Sequence, residues 1–228
     1  MAWQKRAKNR RPPPAAGSLA SPLPLRRDST GDELYKAGDG IVGLLFIGPM
    51  NVTTILSTAD DAYIVKNMYP LYLHDLSPFN GEQPNEHGIV EPGTVRTLAE
   101  QADVQSIWWQ KPDVLFPFII QSDGKPAGFV FVARPPYTVA NIDYAIVEFF
   151  LLHAFRGTGV GGQAAAQTFD RFCGRWEVGI LPKNLQAQAF WRRVVRQYTN
   201  GKFEEHDGDA QGHTNLTFRF ENSTVFSS

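Results

Sequence analysis

Cysteine is nearly missing from this sequence. Cys173 stands alone among 228 residues, so no disulfide can close within the chain. That fits a reducing compartment, and a cytoplasmic location is expected. Long apolar runs are missing too. The longest candidate, Ile41 to Ile47, is interrupted by Gly43 and falls far short of the roughly 18 residues that cross a bilayer. The N-terminus starts basic but has no apolar signal-peptide core behind it, so neither secretion nor membrane attachment is expected. Net charge is almost absent, with 22 Lys+Arg against 23 Asp+Glu. The whole chain therefore shows no nucleic-acid signature, and no nucleic-acid partner is expected. There is no internal repeat.

The charge that exists is unevenly placed. Residues 1–49 hold eight Lys/Arg and four Asp/Glu, a net of +4. Lys5, Arg6, Lys8, Arg10 and Arg11 repel one another, and Pro12, Pro13 and Pro14 cannot join a helix interior or a sheet ladder. Residues 1–49 are expected to be a disordered, basic and proline-rich extension. Residues 50–228 are expected to be one folded domain.

From Met50 the pattern becomes regular. Val52 and Ile55 indicate a strand, and Thr58 with Asp61 resembles a capping box with Asp in place of Glu. Ile64, Val65, Met68, Tyr72 and Leu76 recur at helical spacing, with Pro70 expected to kink or divide the helix. Residues 77–93 are rich in Pro, Gly, Asn and Glu and predict a loop, followed by a short helix over 94–102 capped by Thr94. Leu115–Gln121, a turn at Asp123-Gly124 and Ala127–Ala133 predict a hairpin. Ala145–Leu152 is almost wholly apolar and predicts a central strand. A helix through Ala165, Phe169 and Phe172, a strand over Trp176–Leu181, a helix through Ala187, Trp191, Val194 and Tyr198, and a last strand over Thr214–Phe220 complete a mixed α/β chain.

Chemistry concentrates at Arg156-Gly157-Thr158-Gly159-Val160-Gly161-Gly162, between the central strand and an amphipathic helix. A helix N-terminus offers unpaired N–H groups and a partial positive charge. Glycines let the backbone approach an anion closely, and strand, Gly-rich turn and helix together make a phosphate site. Arg156 can add a charge-assisted contact. Gly157, Gly159 and Gly162 also satisfy the dinucleotide fingerprint G-x-G-x-x-G, with Glu177 twenty residues after Gly157 as the ribose-binding acid. That reading is disfavoured. A long folded segment precedes the glycines, only 66 residues follow Gly162, and Glu177 falls early in its strand.

The segment Arg156 to Gly161 resembles the signature of the GNAT acetyltransferase superfamily, which has Gln or Arg, two residues, Gly, one residue, then Gly or Ala. Asn184, Ala187, Phe190 and Trp191 resemble that family's later helix motif. The resemblance covers about residues 50–221 and includes the order of elements. It implies a central mixed, strongly twisted sheet flanked by helices and splayed between its fourth and fifth strands. It also implies acetyl-CoA as co-substrate and no metal. The backbone amides of Gly157, Thr158, Gly159, Val160 and Gly161, with Gly162 beside them, would hold the pyrophosphate. Leu151 and Leu152 would pair with the pantetheine, Phe150 would lie near the thioester, and Asn184 would contact the cofactor arm. The implied activity is acetyl transfer from acetyl-CoA to a primary amine, on a small molecule or a protein, by direct attack in a ternary complex. A homodimer is compatible with the family. The alternative is a non-catalytic acyl-CoA-binding module, because the family's Tyr, which protonates the leaving thiolate, is here Trp191. Its indole N–H is not a usable acid.

Attack by an amine calls for a base. Glu148 is the only charge in Ala145–Leu152. A carboxylate on such a strand is costly unless it is paired or lines a cavity, and burial would raise its pKa toward working pH. Structural pairing with an Arg or with backbone N–H groups is the competing reading. His74 and Tyr144 are candidates for the acceptor pocket, against solvation at a helix end for the first and core packing for the second. Arg192, Arg193 and Arg196 read as a solvated helix face.

Overall fold

The computed structural model describes residues 50–91, 94–208 and 216–223. The expected basic extension and the start of the last expected strand at Thr214 lie outside the described residues.

Alternating apolar residues build a seven-stranded mixed sheet. Its strands are β1 (Val52–Leu56), β2 (Leu115–Ser122), β3 (Lys125–Ala133), β4 (Tyr144–Leu151), β5 (Gly174–Ile180), β6 (Glu204–Asp207) and β7 (Leu216–Asn222). Their spatial order is β1-β2-β3-β4-β5-β7-β6. Every pairing is antiparallel except β4 with β5, which is parallel. This is not the doubly wound parallel sheet that a dinucleotide fingerprint requires.

Strand β3 shows how period-two alternation makes two cores. Phe129, Phe131 and Ala133 face one cluster with Val65, Met68, Tyr69 and Leu73 of helix α1 (Ala62–Asn80). Val130 and Val132 face the other. That second cluster contains Val160, Ala164 and Phe169 of α4 (Val160–Phe169) and Trp191, Val194 and Val195 of α5 (Leu185–Tyr198). The short α2 (Leu98–Asp103), a 3₁₀ turn (Val104–Ser106) and α3 (Ile107–Gln110) lie on the α1 side, where Trp108 stacks on Phe131 at 4.2 Å.

Three local expectations are corrected. Helix α1 runs unbroken through both Pro70 and Pro78 to Asn80, so the loop begins at Gly81 rather than at residue 77. Burial of the face carrying Val65, Met68, Tyr69 and Leu73 offsets a proline cost of about 3 kcal/mol. Gly81 then ends the helix in the left-handed region at φ 71°, a conformation glycine adopts without penalty. Helix α2 is capped by Thr97, not Thr94. The Thr97 hydroxyl accepts from the Glu100 N–H, and the Glu100 carboxylate reaches back to the Arg96 N–H. Strand β6 is polar and exposed throughout, which is why no apolar alternation announced it.

One irregularity in β4 decides the site. Phe131 pairs with Glu148 and Val132 with Ile146, so Val147 is an extra residue on a β-bulge. Before the bulge, Ile146 faces the α4–α5 side. After it, Phe149 and Leu151 face that side and Phe150 faces α1. The bulge thereby turns Glu148 toward α1. Pairing between β4 and β5 stops at the same place, with Ile146 opposite Val178, although both strands continue. Beyond Ile146 the two strands splay.

Candidate functional site

A cleft of about 1170 Å³ opens where β4 leaves β5. Phe149, Phe150 and Leu151 form one wall, and Phe190 and Trp191 of α5 form another. Phe149 meets Trp191 edge-on at 5.0 Å and Phe190 at 5.7 Å, which wedges the strands apart. The edge of β4 beyond Ile146 has lost its strand partner, and buried backbone donors and acceptors need another.

The floor is the start of α4. Gly157, Gly159, Gly161 and Gly162 all line the cleft. Gly159 caps the helix at φ 92° with no side-chain hydrogen bond, so the first-turn amides have no protein side chain to satisfy them. Gly161 is closely packed, and a side chain there would make its neighbours shift. A β-carbon there would fall 2.9 Å from Leu151 Cδ1 and 3.1 Å from Phe190 Cε2. Thr158 does not line the cleft. Its hydroxyl donates to the Phe155 carbonyl at 2.7 Å and tightens the turn. Val160 is fully buried and anchors the helix in the core. Asn184 lines the cleft while its side chain accepts from the Ala187 N–H at 3.0 Å, capping α5.

Arg156 lines the cleft but is not free. Its guanidinium pairs with Asp75 of α1. Its Nε donates to the Leu151 carbonyl at 2.8 Å. His153 adds a second contact to Asp75 at 3.4 Å. The guanidinium also stands 5.5 Å from the centre of the Phe150 ring. Leu152 lies outside the cleft and packs in the α1 cluster. Arg192 pairs with Glu205, whereas Arg193 lines the cleft, which the reading of that helix face as solvated did not anticipate.

Glu148 sits behind this wall. The residue keeps some exposure overall, but Oε2 is sealed from solvent and has no hydrogen-bond partner. Oε1 accepts from the Tyr69 hydroxyl at 3.4 Å. Burial pushes the carboxyl up to about 8, against the lowering effect of the Tyr69 hydrogen bond. Among the described residues no arginine or lysine is paired with it. Tyr72 meets Phe150 edge-on at 5.9 Å, and burial and the charge of Glu148 hold its hydroxyl well above the usual tyrosine range.

The two acceptor-pocket candidates lie elsewhere. His74 is exposed on α1, one position past the buried Leu73, and does not line the cleft. Tyr144 stacks on Phe172 at 4.7 Å and lies 5.3 Å from Trp176, on the face opposite Glu148. Plain alternation would have put Tyr144 and Glu148 on one face; the bulge separates them. Trp191 is 5% exposed in the core wall. Tyr198 reaches the cleft, but its hydroxyl donates to Asp170 at 2.8 Å and accepts from Asn222 at 3.2 Å, and its pKa is pushed up to about 12, chiefly by burial. Glu177, the would-be ribose acid, is held by Arg219 at 2.7 Å. Among the described residues no group of three or more His, Cys, Asp or Glu is placed to hold a metal ion, and no helix is long and apolar enough to cross a membrane.

Residues 83–195 match the family model described as the acetyltransferase (GNAT) family. Three solved structures share the fold. An acetyltransferase from Thermus thermophilus is 16% identical, with TM-score 0.53, covering 76% of this chain and 99% of its own. RimJ of Mycobacterium smegmatis, solved in complex with CoA-disulfide, is 17% identical, with TM-score 0.51, covering 76% and 86%. A structure described as histone acetyltransferase HPA2 and related acetyltransferase, from Corynebacterium glutamicum, is 15% identical, with TM-score 0.54, covering 78% and 100%. Comparison with curated protein sequences finds no match. At such identities the structural likeness establishes the fold.

Proposed function

We propose that this chain, which belongs to the GNAT acetyltransferase superfamily, moves the acetyl group of acetyl-CoA to a primary amine by direct attack in a ternary complex. The observation that carries this reading is an uncapped glycine helix start and an unpaired strand edge on one cleft, with a sealed carboxylate on the same strand behind the cleft wall. The fit to acetyl-CoA follows from their chemistry. The amides of Gly157 through Gly161 suit a pyrophosphate, and the edge of β4 from Phe149 to Leu151, which β5 leaves unpaired and where Arg156 holds only the Leu151 carbonyl, suits the amides of a pantetheine arm. RimJ of Mycobacterium smegmatis, with the same fold, holds a CoA-disulfide, which supports a CoA ligand here.

In the proposed reaction the Glu148 carboxylate accepts a proton from the acceptor ammonium, directly or through water. The neutral amine attacks the thioester carbonyl, the C–S bond breaks with the electron pair leaving on sulfur, and the surplus proton on the new amide nitrogen passes to the departing thiolate or to water. A thiolate is a good leaving group, so Trp191 in place of a tyrosine does not block the step. The non-catalytic reading rests on that same Trp191 and on the engaged hydroxyl of Tyr198. Arg156, held by Asp75, stands over the Phe150 ring.

Acetyl-CoA and CoA should both raise the melting temperature, and NAD should not. Ligand at 100 times its dissociation constant adds about 2.7 kcal/mol. A melting curve unmoved by millimolar CoA would sink the reading. We further propose that the domain begins near Met50. Deleting residues 1–49 is expected to leave the melting temperature and CoA affinity unchanged; aggregation of the truncated protein would show that Ile41 to Ile47 packs on the domain.

A further inference from the structure

Glu148 is the last member of a hydrogen-bonded series that crosses from α3 to β4. Trp108 Nε1 donates to Gln105 Oε1 at 3.0 Å. Gln105 Nε2 donates to the Tyr69 hydroxyl at 2.6 Å. The Tyr69 hydroxyl lies 3.4 Å from Glu148 Oε1. The series has one direction. An indole N–H can only donate, so Gln105 must turn its oxygen to Trp108 and its amino group to Tyr69. Tyr69 then accepts from Gln105, and its single proton is left for Glu148. Trp108 itself cannot turn, being buried and stacked on Phe131 at 4.2 Å. Tyr69 is likewise buried, between Phe129 at 6.2 Å and Tyr72 at 5.8 Å.

We propose that Trp108, Gln105 and Tyr69 form a one-way hydrogen-bond chain that holds Glu148 with Oε1 as acceptor and leaves Oε2, the oxygen without a donor, as the one free to take up a proton. The sealed, unpartnered state of Oε2 is the second observation behind it. A buried carboxylate oxygen without a donor is costly, and it is what a base needs to have free. Tyr69 and Gln105 are positioning residues in this scheme, acting through Glu148. The inference rests on the reading of Glu148 as base for its function, but the chain can be tested without any acceptor.

Among the described residues the groups facing Glu148 are few. From α1 they are the hydroxyls of Tyr69 and Tyr72, and β3 brings only Phe131 opposite. Glu91, in the loop after α1, faces Tyr69 and has its own Oε2 unpartnered. Removing the Tyr69 hydroxyl takes away the one donor to Oε1, so Glu148 should hold its proton more tightly.

The test is a carboxyl ¹³C NMR titration of the full chain, with the Glu148 signal assigned by its loss in Glu148→Gln. Tyr69→Phe should bind the Glu148 proton about three- to tenfold more tightly than wild type. Gln105→Met should move it the same way by less, because the freed Tyr69 hydroxyl can turn elsewhere. The double variant should match Tyr69→Phe alone, since the chain acts only through Tyr69. An unmoved Glu148 signal in Tyr69→Phe would overturn the proposal, and so would an added shift in the double variant. The pH midpoint of turnover should follow the NMR midpoint. If the NMR midpoint moves and that of turnover does not, the chain stands and the base assignment falls.

Discussion

Glu148→Gln should lower turnover about 10²- to 10⁴-fold while CoA affinity stays the same. The substitution keeps shape and removes the base. Wild-type turnover should climb with pH and level off above about 8, where the carboxyl has lost its proton; the residual rate of the variant should lack that rise. Stability should move the other way. The folded protein holds the Glu148 proton up to about 8, while the unfolded chain releases it near the ordinary value of 4.5. Between those values folding becomes less favourable as pH rises, by up to about 1.4 kcal/mol per pH unit. The Gln variant escapes this cost. It should therefore melt higher than wild type at pH 9 and close to wild type at pH 4. Loss of stability with full turnover in the folded fraction would make Glu148 structural.

Gly159→Asp should weaken CoA binding at least about a hundredfold, because a carboxylate beside a pyrophosphate sets like charges together. Gly159 sits at φ 92° with open space around it; a β-carbon there would find its nearest neighbour, Gln163 Nε2, at 3.9 Å. Strain is thus the main cost to the fold, about 1–2 kcal/mol, and Asn and Asp tolerate that region best among side-chain-bearing residues. Gly159→Asn shares the strain and the volume without the charge. The difference between the two variants in isothermal titration with CoA isolates the charge. Equal CoA affinity in Asp and Asn variants would mean that the α4 start does not hold the phosphates.

The parts of this site that could be read from the sequence are those built from neighbours in the chain. The glycine loop was legible because strand, glycines and helix follow one another, and the structure puts Gly157, Gly159, Gly161 and Gly162 on one cleft. Glu148 was legible as the lone charge in an apolar strand. Its orientation was not. A bulge at Val147 shifts alternation by one, and nothing in the composition of Ala145–Leu152 announces it. The same shift sends Tyr144 to the far face. Gln105 and Tyr69 were invisible as a pair, because they lie 36 residues apart and the 3₁₀ turn that carries Gln105 is only three residues long, too short to show periodicity. Asp75 holds Arg156 across 81 residues, so the guanidinium expected to be free for phosphate is already engaged. Pro70 misled for another reason: local propensity lost to the buried face of α1.

The most direct test of the account is release of free CoA thiol from acetyl-CoA, measured over a panel of primary amines with wild type and Glu148→Gln side by side. The account predicts that at least one amine drives thiol release by wild type, one thiol for each acetylated amine, and that the Gln variant is slower by about two orders of magnitude or more. Saturable binding of acetyl-CoA with no thiol released above the amine-free rate by any member of the panel would contradict it, and would leave a protein that holds acyl-CoA without transferring the acyl group.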